Sequence, residues 1–158
     1  MKNKDNNIAK FKWEKDHEYN YRINVSKLSI NVSNILNTFV TLSNQANPNY
    51  LPALNSIQSI YEKYTKLIEP DIYFEFHTVY RQGLEYYIKG LTLLVNTFRE
   101  KKEKKLANND KELISNVVKA STLMDAAACY LKISNVKNME LFEKQQKEFN
   151  NRGGIILN

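Results

Sequence analysis

The sequence contains little cysteine, glycine, proline or histidine, and these shortages exclude several kinds of protein. Its 158 residues include one Cys, four Gly, three Pro and two His. A single Cys excludes an intrachain disulfide framework and a cysteine-based zinc site. So few Gly and Pro residues cannot supply the many tight turns of an all-β sandwich.

Long apolar runs are also missing. The longest apolar-rich window, residues 91–95, is far shorter than the ~18 residues that a membrane span needs. No apolar run follows the polar start of the chain, so we expect no signal peptide and a cytoplasmic protein with Cys129 reduced. With 42% apolar and 25% charged residues, the composition is typical of a folded domain and not of a disordered chain.

Four segments repeat apolar residues at the spacing of three and four that is typical of one helix face. Asn47-Pro48 and Glu69-Pro70 indicate turns between them, and Asn109 or Asp110 is a candidate N-cap before the last. The four stripes are Tyr21, Val25, Leu28, Val32, Ile35, Phe39 and Leu42; Leu54, Ile57, Tyr61, Tyr64 and Ile68; Phe76, Tyr80, Leu84, Tyr87, Leu91, Leu94 and Phe98; and Leu113, Val117, Ala120, Met124, Ala127 and Leu131.

The sequence therefore predicts an all-α protein, an antiparallel bundle of four helices. Ser134-Asn135 is a candidate helix end, so a last amphipathic piece with Met139 and Phe142 would make a fifth helix. Residues 16–150 are expected to form this single domain, after a basic arm at 1–15 and before a tail at 151–158. Gly83 and Gly90 are expected to let the Ala-rich fourth helix approach closely.

The sequence offers no recognisable constellation for catalysis or metal binding. Glu14 and His17 form one Glu-x-x-His motif of a di-iron bundle, but Phe74 occupies the position that would complete a second motif with His77. We expect Cys129 to be a small core residue and His77 to bond a backbone group. We therefore expect no enzymatic activity, no cofactor and no metal.

The net charge of +6 comes from two segments, and the rest of the chain is neutral overall. Residues 1–15 hold five Lys and two acidic residues, and residues 99–111 hold six basic and three acidic residues. Cations at a helix C-terminus complement the helix dipole, which is a simpler explanation for the second segment. The candidate contact residues for a partner or for nucleic acid are Lys10, Phe11, Lys12, Trp13, Lys15, Arg99, Lys101, Lys102, Lys104 and Lys105.

One stretch of the sequence resembles a known group of proteins. The pattern Pro70-x-x-Tyr73-x-x-x-His77, followed by Gly83-x-x-x-Tyr87-x-x-Gly90-Leu91, resembles a loose group of small uncharacterised helical proteins of low-GC Gram-positive bacteria. The resemblance implies an all-α bundle without an assigned activity. Many members are lipoproteins, but no lipoprotein signal is recognisable in this sequence, so we do not expect surface attachment.

The leading functional hypothesis is a non-enzymatic helical bundle that acts through protein–protein contact or self-association. It would be an accessory or regulatory factor of a phage or mobile element in a low-GC host. The apolar chain ends, with Phe11, Trp13, Tyr19 and residues 155–157, are candidate contacts, although docking of Phe11 and Trp13 on the bundle is the simpler expectation.

Three alternatives stay open. The first is a nucleic-acid-binding accessory protein that uses the arm and the 99–111 segment, which requires the two to lie side by side. The second is a small leaderless secreted helical protein, although no Trp-x-Gly or Tyr-x-x-x-Asp/Glu signal is present. The third is an apolar-ligand pocket lined by tyrosines, namely Tyr61, Tyr64, Tyr80 and Tyr87.

Overall fold

Four long helices make up the molecule. The computed structural model describes residues 8–155, within which there is no strand. α1 covers Asp16–Ser43, α2 covers Leu51–Thr65, α3 covers Phe74–Lys104 and α4 covers Lys111–Asn151. The predicted all-α bundle of four helices is confirmed, and the last amphipathic piece belongs to α4 instead of forming a fifth helix.

The helices begin and end at residues suited to these positions. Pro52 lies in the first turn of α2, where the N–H that proline lacks would have no helical partner. Pro70 is extended and precedes a single 3₁₀ turn at Asp71–Tyr73, so this segment is a turn and not a kink. The Asp110 carboxylate accepts a hydrogen bond from the backbone N–H of Leu113 at 2.9 Å and caps α4.

Neighbouring helices alternate in direction. Tyr21 of α1 contacts His77 near the start of α3, and Phe39 packs on Tyr87 farther along both helices. α1 and α3 are therefore parallel. Tyr64, at the end of α2, stacks on the same His77, so α2 runs the opposite way.

α3 and α4 form an antiparallel pair that is closely packed at two glycines, as expected. A Cβ added to Gly83 would lie 2.8 Å from Cδ2 of Leu131. A Cβ added to Gly90 would lie 2.7 Å from Cγ of Met124 and 3.2 Å from the carbonyl oxygen of Ala120. In this register the last turns of α4, after about residue 139, project about 18 Å beyond the start of α3.

Most residues of the four stripes form the core or pack against it, but Ile68 does not. α2 ends at Thr65, so Ile68 no longer follows the helical repeat and is 91% exposed. Ile60 is buried within α2 instead, at a position the predicted stripe left out.

Two further expectations for α4 are wrong. Ser134 does not end the helix, because neither Gly nor Pro occurs there and its buried hydroxyl donates to the Leu131 carbonyl at 2.7 Å. Cys129 is exposed, because Ala120 and Ala127 occupy the inward positions of this helix and leave Cys129 on its outer side.

The two ends of the bundle differ in what they contain. The loop end holds the connections 44–50 and 105–110. The arm end holds residues 8–15, the connection 66–73 and the last turns of α4. Among residues 8–155, no helix is both long and apolar enough to cross a membrane.

Candidate functional site

The structure places the two basic segments at opposite ends of the bundle. The arm contacts Phe142 through Phe11 and Trp13, whereas residues 99–111 lie at the loop end. From Lys111 to Phe142, α4 rises about 46 Å. Lys10, Lys12 and Lys15 are therefore not brought together with the cations of the second segment.

The described part of the arm docks on the bundle through its aromatic residues, as expected. The Phe11 and Trp13 rings stack with their centroids 5.3 Å apart, and both pack against Phe142 of α4. Trp13 is buried, while the three lysines of residues 10–15 remain exposed. Residues 1–7 of the predicted arm, and Ile156 and Leu157 of the tail, lie outside the described residues.

A buried ion pair anchors the arm, and the sequence analysis missed it. Nε and Nη2 of Arg22 donate to the two carboxylate oxygens of Glu14 at 2.6 and 2.8 Å. The guanidinium also lies 4.3 Å from the centre of the Phe11 ring. Residues eight positions apart do not contact each other within a helix, so periodicity could not reveal this pair. The only signal in the sequence was that Glu14 is an acidic residue among basic ones.

The second basic segment lines an open cleft at the loop end, which we call the loop-end cleft. Its volume is about 880 Å³, and its walls are the 46–51 segment, the last turns of α3 and the start of the 105–110 connection. None of its lining residues is acidic. Four of the five predicted cations of this segment line it: Arg99, Lys101, Lys102 and Lys105.

Lys101 is the most buried of these cations, at 8% exposure. Its ammonium donates to the carbonyl oxygen of Ala46 at 2.9 Å and to Oδ1 of Asn108 at 2.7 Å. One side chain thus links both connections of the loop end. Both acceptors are neutral, and no carboxylate within residues 8–155 lies at salt-bridge distance from this ammonium.

The two remaining lysines of the segment differ in position. Lys104 is exposed, lies outside the cleft and pairs with Glu100 at 3.5 Å. Lys105 follows the end of α3 with φ 53° and ψ 42°, the left-handed conformation that usually belongs to glycine. It is the one described non-glycine residue with positive φ, and it lines the cleft.

Periodicity could have identified Lys101 as a buried residue. The buried positions of α3 continue from Leu94 to Thr97 and then to Lys101, in steps of three and four. Charge alone was used to interpret residues 99–105, so Lys101 and Lys104 were treated alike. The contributions of Asn47, Asn49 and Asn108 were missed as well.

The inner tyrosines pack on one another and on His77. The Tyr64 ring stacks on the imidazole at 4.4 Å, and its centroid is 5.0 Å from that of Tyr80. The expectation that the His77 ring bonds a backbone group is wrong. Its Nδ1 lies 2.8 Å from the Tyr21 hydroxyl, within hydrogen-bond distance. Burial lowers the pKa of His77 below its usual 6.5, and raises the pKa of Tyr64.

The outer face of α4 carries exposed apolar side chains, which we call the α4 outer face. It lies opposite the buried side of the helix, which includes Ala120, Ala127 and Ser134. Its apolar members are between 47% and 63% exposed: Ile114, Val118, Ile133, Val136 and Met139.

Neither metal-ligand geometry nor similarity to other proteins indicates a function. In the described part of the chain, no group of three or more His, Cys, Asp or Glu side chains could hold a metal ion. No protein-family model matches the sequence, and neither the curated proteins nor the solved structures contain a match.

Proposed function

We propose that this chain is a non-enzymatic helical bundle that acts through protein–protein contact, in which two copies pair along the α4 outer face. The observation that supports this proposal is the exposure of five large apolar side chains along one side of one helix. Exposed apolar side chains grouped along one side of a helix are typical of interaction sites.

The arrangement of this face favours a second copy as the partner. Its apolar residues form two groups, one at Ile114 and Val118 and the other from Ile133 to Met139, at similar distances from the point between residues 126 and 127. In an antiparallel pair related by a two-fold axis at that point, each group would meet the other group of the second copy.

Residues between the two apolar groups are compatible with this pairing. Ser121, Thr122 and Cys129 have short side chains, which allow two helices to approach closely. Asp125 of one copy would lie about 6 Å along the helix axis from Lys132 of the other, a distance that suits an ion pair. The pairing would therefore bury apolar surface and match opposite charges.

Molar mass in solution tests the proposal. We expect light scattering after size-exclusion chromatography to give twice the chain mass of 18.5 kDa. V118E and V136E should each shift the protein toward the monomer, because each places a carboxylate in the contact. V40E is the matched control, since Val40 is equally apolar and 70% exposed but lies on α1. A monomeric wild type, or equal effects of V40E and V118E, would contradict the proposed pairing.

The single thiol gives an independent measurement. In the proposed pair the two Cys129 residues would lie about 8 Å apart along the helix axis. A short bismaleimide should therefore join two chains in the wild type, and much less so in V136E. Cross-linking that V136E leaves unchanged would place the contact elsewhere.

The more specific roles remain predictions from the sequence. These are an accessory or regulatory role in a phage or mobile element, a cytoplasmic location and, as an alternative, leaderless secretion. Nucleic-acid binding by both basic segments at one surface is not proposed, since the segments lie at opposite ends of the bundle.

A further inference from the structure

We propose that the loop-end cleft is a binding site for a small phosphate-bearing anion with more than one negative charge, such as the diphosphate group of a nucleotide. The proposal is independent of pairing along α4, because the cleft and the centre of the α4 outer face use different residues. Its first support is that four cations line one concave space whose lining includes no acidic residue.

The second support is the environment of Lys101. A buried ammonium is costly unless a negative charge compensates it, and its two acceptors here are neutral. An anion in the adjoining cleft would supply that compensation. It would also use the donor that remains, because an ammonium has three N–H groups and Lys101 uses two of them.

The backbone at Lys105 is the third support. Glycine fits a left-handed residue after a helix without steric cost, whereas a lysine there is disfavoured. Unfavourable backbone conformations of this kind are concentrated at functional sites. The lysine adds a cation to the cleft wall that a glycine would not provide.

Neutral groups complete the site. Oδ1 of Asn108 is bound by Lys101, and Oδ1 of Asn49 accepts from the N–H of Leu51 at 3.2 Å. Both amides therefore have NH₂ groups left to donate to an anion. Tyr50 and Phe98, whose rings are 5.8 Å apart, add an aromatic wall that suits the organic part of a phosphate compound.

Two helix ends at the cleft have opposing effects on an anion. The C-terminus of α3 carries about half a negative charge, whereas the N-terminus of α2 carries about half a positive charge. These contributions roughly cancel, so the four side-chain cations determine the sign of the potential. At about 880 Å³ the cleft has the size of a small-molecule site. It lies at the loop end, whereas the described lysines of the arm lie at the other end of the bundle, which favours a small anion over a nucleic acid.

Calorimetric titration with pyrophosphate at low ionic strength tests the site. We expect saturable binding of one pyrophosphate per chain, weakened about tenfold or more in K102Q and in K105G, since charge-assisted hydrogen bonds are lost. K104Q is the matched control. It removes the same charge from the same helix turn, but Lys104 lies outside the cleft, so the affinity should fall less than about threefold.

Two further measurements test the site, namely competition by other phosphate compounds and substitution of the buried Lys101. A nucleoside diphosphate should compete with pyrophosphate, and a single-stranded oligonucleotide should not. K101M, checked for folding by circular dichroism, should lose binding. V136E should bind pyrophosphate as the wild type does, because Val136 lines neither the cleft nor the pocket beside it. This variant therefore separates the anion site from pairing along α4.

Three results would overturn the proposal. The first is no saturable pyrophosphate binding by the wild type. The second is an equal loss of affinity in K104Q and K102Q, which would indicate diffuse charge attraction. The third is tight binding of the oligonucleotide that pyrophosphate does not displace, which would identify a nucleic-acid surface.

Discussion

Arg22 holds the carboxylate of Glu14 with two hydrogen bonds, and the Glu14 side chain is fully buried. The same carboxylate accepts the backbone N–H of Phe11 at 3.1 Å, and Arg22 donates to the Ala9 carbonyl at 2.8 Å. This pair therefore ties residues 9–14 to the first turns of α1.

Removal of the arginine should destabilise the protein strongly. In R22M the Glu14 carboxylate stays buried without a counter-charge, which should lower the free energy of unfolding by about 3 kcal/mol in a urea titration. K10Q removes the exposed Lys10–Asp16 pair and should leave the urea midpoint unchanged. If R22M behaved like K10Q, the buried pair would not be what holds the arm.

Gly90 and Met124 should be energetically coupled, because a Cβ on Gly90 would lie 2.7 Å from Cγ of Met124. We expect G90A to cost about 1 kcal/mol more in the wild type than in the M124A background, where the obstructing atoms are absent. The free energies of unfolding of the two single variants and the double variant give this difference. Additive effects would show that α3 and α4 are farther apart than described.

The left-handed backbone at Lys105 should make a glycine stabilising at that position. K105G should raise the free energy of unfolding by about 1 kcal/mol, because glycine adopts this conformation without steric cost. K104G replaces the last helical residue and should lower it by a few tenths to about 1 kcal/mol. Thermal melts of both variants measure the contrast, and destabilisation by K105G would refute the prediction.

His77 should make the fold sensitive to mild acid. Burial lowers its pKa below 6.5 in the folded state, despite the opposing attraction of Glu69, so the unfolded chain binds a proton first as pH falls. The neutral His77 ring therefore makes its full contribution to the free energy of unfolding above about pH 6.5, and this contribution is lost progressively as the pH falls below that value.

The effect should appear when the pH dependence of the free energy of unfolding is compared between the wild type and H77Q. Between about pH 7 and about pH 5, the free energy of unfolding of the wild type should fall more steeply than that of H77Q, since carboxylates contribute to both. NMR titration of the imidazole in H17Q, where His77 is the only histidine, gives the pKa directly. A value at or above 6.5 would refute the assignment.

The helical framework could be predicted from the sequence because burial repeats with the helical period. All seven predicted positions of α3 are buried or pack against the core, and the glycine contacts with α4 follow from residue size. The errors occurred where periodicity gives no signal. The position of Ile68 depends on where α2 ends, and the continuation through Ser134 depends on a hydroxyl that bonds within its own helix.

The candidate site could be predicted only in part, because charge and burial gave conflicting signals. Residues 99–105 were recognised as basic, but Lys101 continues the buried stripe and Lys104 does not. The distribution of these lysines between cleft and solvent depends on the 44–50 connection, which is distant in sequence. The contact between Arg22 and Glu14 likewise required the path of the arm.

The docking of Trp13 on Phe142 joins two residues that lie 129 positions apart in the sequence. During synthesis the arm can reach this position only after residue 142 has emerged, whereas the α3–α4 pair forms from neighbouring segments. Trp13 is the only tryptophan in the sequence. Its fluorescence therefore reports specifically on the docking of the arm, and can show when this contact forms during folding.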